Sequence, residues 1–131
     1  MKTTVSLLMI LLVATSCDIM LVEPSYDDRN RIAGSYHIEE YSQTYNDYTS
    51  FFIYVRKSGL GQAVVIENFY NAGIDVRAEY QFDKIYIDRQ FVNGYEIEGV
   101  GTIYGDEIRF NYKVRDTYTN RPTDFCNATA R

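Results

Sequence analysis

Side chains able to do chemistry are few in this sequence, and their spacing suits little of it. The 131 residues contain one histidine, His37. Glu39 follows two positions later, so on an extended strand both would share a face and could touch one ion or substrate. Two ligands fall short of the three or four that zinc requires, and the pair reads as a solvated surface patch. His37 stands beside ordinary serines, with no nucleophile, base and orienting group to assemble. Glu39 with Glu40, and Glu96 with Glu98, are neighbouring carboxylates. An acid–base pair works when the two environments differ, whereas alternation puts Glu96 and Glu98 on one wet face. Gly59-Leu60-Gly61 reads as a turn, since no strand leads through it into a helix that could hold phosphate. The sequence is therefore read as non-enzymatic, with no metal and no cofactor.

The two cysteines have different settings. Lys2 is the only charge before Asp18, and Val5–Ala14 carries Ser6 as its one polar residue. That is the short basic region and apolar stretch of a secretory signal. Ten helical residues span about 15 Å, half of a bilayer's hydrocarbon core. Ala14-Thr15-Ser16-Cys17 resembles a bacterial lipobox, in which the cysteine thiol is acylated and becomes residue one. Residues 1–16 are thus expected to be a lipoprotein signal peptide, and Cys17 the lipidation site. Two or more acyl chains anchor a protein stably, at ~0.8 kcal/mol per buried methylene. Residues 17–30 form the lipidated N-terminus and a tether; thirteen residues after the cysteine reach on the order of 40 Å when extended. Cys126, in "FCNATA", alternates with Ala128 and Ala130 and is expected to be a small buried hydrophobe. A disulfide between the two cysteines is the structural alternative to acylation.

Removing Met1–Ser16 removes one positive charge, Lys2, and moves the formal balance from −5 to −6. No basic patch remains to follow a phosphate backbone, so no nucleic acid is expected as a partner.

Residues 31–131 are read as one domain built from strands. In "IDVRAEYQF", Ile74, Val76, Ala78, Tyr80 and Phe82 alternate with Asp75, Arg77, Glu79 and Gln81. "EIRFNYKVR" repeats the pattern with Ile108, Phe110, Tyr112 and Val114 on one side. Period two marks half-buried strands. Gly105-Asp106 suits a type II′ hairpin, a register that sets Gly101 against Phe110 and Gly99 against Tyr112. Turn signals divide the domain into about eight strands, near 32–42, 48–57, 62–69, 74–82, 84–89, 95–104, 107–115 and 124–130. Short connections favour an antiparallel meander. With no helix to cover the apolar face, the expected fold is all-β, closing into a lipocalin-like barrel or half-barrel.

From "IAGSYHIEEYS" onward the chain resembles the small lipocalin-like envelope lipoproteins of Bacteroides-type Gram-negative bacteria. "GSY" opening the first strand, "VVIENF", "EIEGVGTIYGDEIRFNYKV" and the closing "CNATAR" carry the likeness. It implies a calycin-type fold and an envelope location, at the outer membrane, more than an activity. Lipocalins open on Gly-x-Trp, with a late arginine crossing the tryptophan; Gly34, Tyr36 and Arg131 are the implied counterparts.

Thirteen tyrosines and seven phenylalanines leave two readings of the interior. Rings suit strands and pack well. They could also line a pocket for a small apolar or sugar-like ligand, with Tyr36, Tyr80, Phe110 and Tyr112 as the lining. The leading expectation is a membrane-anchored binding module with such a pocket. The alternative is a non-catalytic interaction or structural lipoprotein with a solid core and an envelope protein as partner. Rings that meet across the interior favour the second reading.

Overall fold

The computed structural model describes residues 26–131; the apolar leader and Cys17 lie outside the described residues. Eight strands follow one another: β1 (Gly34–Ser42), β2 (Asp47–Lys57), β3 (Ala63–Phe69), β4 (Ile74–Gln81), β5 (Lys84–Val92), β6 (Tyr95–Tyr104), β7 (Glu107–Asp116) and β8 (Asp124–Ala130). Each pairs antiparallel with the next, and β8 pairs with β1, so the meander closes into a complete barrel. Alternation is the cause. Along β4, Ile74, Val76, Ala78 and Tyr80 are buried while Asp75, Arg77, Glu79 and Gln81 face water.

The β6–β7 hairpin has the register expected of its turn: Gly101 faces Phe110 and Gly99 faces Tyr112. Gly105 turns with φ +59°, as the first central residue of a II′ turn should. A Cβ on Gly99 would lie 2.6 Å from the Asn111 carbonyl oxygen and 2.4 Å from Tyr112 Cβ. Only glycine allows that approach.

Two ladders are incomplete, and side-chain amides take their place. β2 pairs with β3 only over Tyr54–Lys57, and the Asn68 amide donates to the Phe52 carbonyl at 2.7 Å. β4 pairs with β5 only over Glu79–Gln81; there Gln90 accepts from Arg77 N (3.0 Å) and donates to Arg77 O (2.7 Å). Gln90 thereby imitates a strand residue and satisfies backbone groups that would otherwise lack partners.

One end of the barrel is stoppered by a 3-10 turn, Asp28–Arg31, followed by the fully buried Ile32. The Arg29 guanidinium uses all five N–H donors. It grips both Asp27 oxygens and donates to the carbonyls of Ser58, Gly59 and Ala63 in the β2–β3 turn. An arginine so satisfied can be buried. The folded unit therefore takes in Asp27–Asn30, which the sequence pattern assigns to the tether. Periodicity cannot register a segment held by one side chain's hydrogen bonds.

Candidate functional site

The four candidate ligand residues do not form one pocket. Phe110 and Tyr112 are buried in the middle of the barrel; Tyr112 packs against Phe69 with ring centroids 4.7 Å apart. Ile38, Phe51, Ile53, Phe69, Tyr70, Phe110, Tyr112 and Ala128 surround a void of about 10 Å³. That is about the least space that can hold one water. Tyr36 and Tyr80 lie toward the stoppered end. Tyr36 is half-buried and donates its hydroxyl to the Ile32 carbonyl at 2.8 Å. Tyr80 is buried beneath a recess lined by Tyr26, Arg31 and Phe82. Arg131 does not cross Tyr36, as the lipocalin likeness implies; its guanidinium turns outward to Glu107 at 2.8 Å. No tryptophan is present to attract it over a ring.

The opposite end holds a buried polar cluster. Parity along β1 points Glu40 and Ser42 inward, and parity along β8 does the same for Asp124 and Cys126. The Ser42 hydroxyl donates to Asp124, and Tyr70 donates to the second Asp124 oxygen at 2.5 Å. Tyr70, at the tip of the β3–β4 hairpin, lies across this mouth edge-on to Tyr95 and Tyr112. Glu40 Oε2 is buried without a hydrogen-bond partner. Burial, reinforced by the nearby Asp124 carboxylate, raises the Glu40 carboxyl to about 7. Burial also raises the Tyr70 hydroxyl and the Cys126 thiol well above their ordinary values.

A carboxyl poised near neutrality can act as a general acid or base. Here its neighbours are a serine committed to Asp124 and a buried thiol. The cluster can take up and release a proton near neutral pH. Among the described residues no group of three or more His, Cys, Asp or Glu is placed to hold a metal ion.

The remaining carboxylates named from the sequence are surface groups. His37 packs against Phe52 with ring centroids 5.0 Å apart and the planes tilted by 58°. Glu96 lies between Arg115 (2.5 Å) and Arg89 (3.0 Å), and the arginines lower its carboxyl pKa. The outer wall over β7, β8, β1 and β2 carries a row of facing residues, Asn111, Asn127, Tyr41 and Tyr48. Tyr41 and Tyr48 pack with centroids 4.8 Å apart. A recess of about 370 Å³ contains this row, and a second, of about 270 Å³, continues from its two asparagines toward Phe125 and Gln43. Alternation identified these residues as outward-facing, but their alignment into one row depends on a cross-strand register that composition does not reveal. No family model and no curated protein matches this chain.

Proposed function

We propose that the chain is an exported lipoprotein of the lipocalin-like envelope type, anchored at the outer membrane through Cys17, that acts without catalysis. Its outer wall, rather than its interior, meets a protein partner. One observation carries the choice between inside and outside. The interior void is about 10 Å³ and both ends are closed, by the Asp28–Arg31 turn and by Tyr70. Small-molecule sites are typically ~300–1,000 Å³, so a pocket ligand has no room. The aromatic and amide row on β7, β8, β1 and β2 supplies what an interface centre uses, rings with adaptable polar groups.

Two measurements test this reading. Native mass spectrometry of protein extracted from its own host should give the acylated polypeptide alone; a stoichiometric small molecule released on unfolding would restore the pocket. A photo-crosslinking side chain at Tyr48 should capture one discrete envelope protein, whereas one at Glu79 on the far wall should not. For the anchor, Cys17→Ser should leave the precursor unacylated and move the protein out of the membrane fraction. Unchanged detergent partitioning would refute acylation.

A further inference from the structure

The stoppered end of the barrel carries large apolar side chains where turns ordinarily carry polar ones. Leu60, at the tip of the β2–β3 turn, is 97% exposed, and Phe82, in the β4–β5 turn, is 88% exposed. Tyr26 and Tyr104 are exposed at the same end. These tips are held together. Arg29 donates to the Gly59 carbonyl, Ile103 N donates to the Asp83 carbonyl at 2.9 Å, and Tyr26, Gln62 and Phe82 border one open recess.

Phe82 is the telling residue. It adopts φ +50° at the first central position of its turn, where asparagine, aspartate and glycine are at ease and a bulky side chain is an outlier. Its exposed ring gains little from the fold in return. Backbone strain without a packing benefit points to use elsewhere. Cations at the tips are mostly matched by acids: Arg31 pairs with Asp83 at 2.5 Å and Lys57 lies 3.8 Å from Asp27, so docking rests on the apolar groups. The chain leading back to Cys17 also leaves from this end, at Tyr26. Eight residues lie between the two, nine steps along the chain and a reach of at most ~30 Å. A ten-residue strand is about as long, so only a fully extended leash along the whole barrel could bring the opposite end to the bilayer.

We infer that this end docks shallowly into a lipid surface, with Leu60 and Phe82 among the headgroups. The barrel then stands end-on, and its outer wall faces away from the membrane plane. This inference rests on the reading of Cys17 as a lipid anchor.

The natural chain has no tryptophan, so each introduced one reports alone. The acylated protein, purified from host membranes as Leu60→Trp, Phe82→Trp or Tyr118→Trp, is reconstituted into phosphatidylethanolamine–phosphatidylglycerol vesicles containing brominated acyl chains. Bromolipid should quench the Leu60→Trp and Phe82→Trp emission at least twofold and leave Tyr118→Trp, at the other end, unchanged. Co-flotation with unquenched reporters at 60 and 82 would overturn docking while leaving the anchor intact. Reporters shielded from acrylamide yet unquenched by bromolipid would assign that end to a protein contact, and docking would again fail. Loss of flotation would remove the anchor and the docking together. Phe82→Asn should raise the thermal midpoint and weaken vesicle protection of the β4–β5 turn against protease. A lowered midpoint would show that the ring serves the fold, and would remove the argument from strain.

Discussion

Replacing Glu40 with glutamine should shift stability relative to wild type by about 3 kcal/mol in the variant's favour between pH 4.5 and pH 8. Glu40 is 6% exposed, with Oε2 unpartnered and Asp124 close by. Its carboxyl moves from an ordinary 4.5 to about 7. The folded state therefore holds a proton that the unfolded chain has released across that interval, and stability falls as pH rises from about 4.5 to about 7, then levels off. At ~1.36 kcal/mol per pH unit, the penalty above pH 7 is about 3 kcal/mol. Glutamine has the shape of the protonated acid and carries no charge, so it avoids that penalty. Its second N–H adds a cost of about 1–3 kcal/mol that is the same at every pH, so the change in the difference from pH 4.5 to pH 8 is what reports Glu40. The assay is urea unfolding followed by far-ultraviolet circular dichroism, for wild type and Glu40→Gln, at several pH values. The difference between the two curves isolates Glu40, because other titrating groups are common to both. A stability difference that is the same at pH 4.5 and pH 8 would refute the reasoning.

Gly99→Ala should destabilise at the upper end of the ~1–3 kcal/mol typical of overpacking, because the new Cβ meets the Asn111 carbonyl oxygen and Tyr112 Cα. Gly101→Ala, whose Cβ meets the Phe110 ring at 2.7 Å, should cost less in the same denaturation series, since a ring can tilt where backbone cannot. Asp27, hydrogen-bonded by Arg29, has its carboxyl lowered to about 2. Its contribution is present above about pH 4 and is lost as pH falls through about 2, so Asp27→Asn should flatten that part of the acid-stability profile recorded by circular dichroism. Cys126 is buried with its thiol raised, so a thiol reagent at pH 8 should label it only as fast as the barrel opens, and at once in urea. Fast native labelling, followed by mass spectrometry, would contradict the packed wall around β8.

Much of the fold is legible in the residues one at a time. Ile74 to Tyr80 and Ile108 to Val114 declare their inner face by alternation, and Gly105-Asp106 sets a hairpin register that the structure reproduces pair for pair. The polar cluster was legible by the same rule: from Ile38, every second residue inward is Glu40, then Ser42, and Asp124 shares the parity of Cys126. Treating Glu40 as simply the neighbour of Glu39 overlooks what parity says about it. Arg29 gives no such signal, because its burial depends on three carbonyls about thirty residues away. Nor do Gln90 and Asn68, whose amides stand in for missing ladder bonds.

The sequence by itself determined that the chain is all-β and how its strands alternate, because side-chain direction along a strand is a local property of the pleat. Phe82, which alternation assigns to the inner face, instead turns out to solvent where the strand ends and its φ becomes +50°. The sequence also determined the expectation of an acylated Cys17. Whether the barrel closed, and whether its rings enclosed space or filled it, only the tertiary structure decided. Those outcomes depend on β8 meeting β1 and on Phe69, Tyr70 and Tyr112 converging from distant strands. Interior volume is what remains after all inward side chains are packed together, and no single segment contains it.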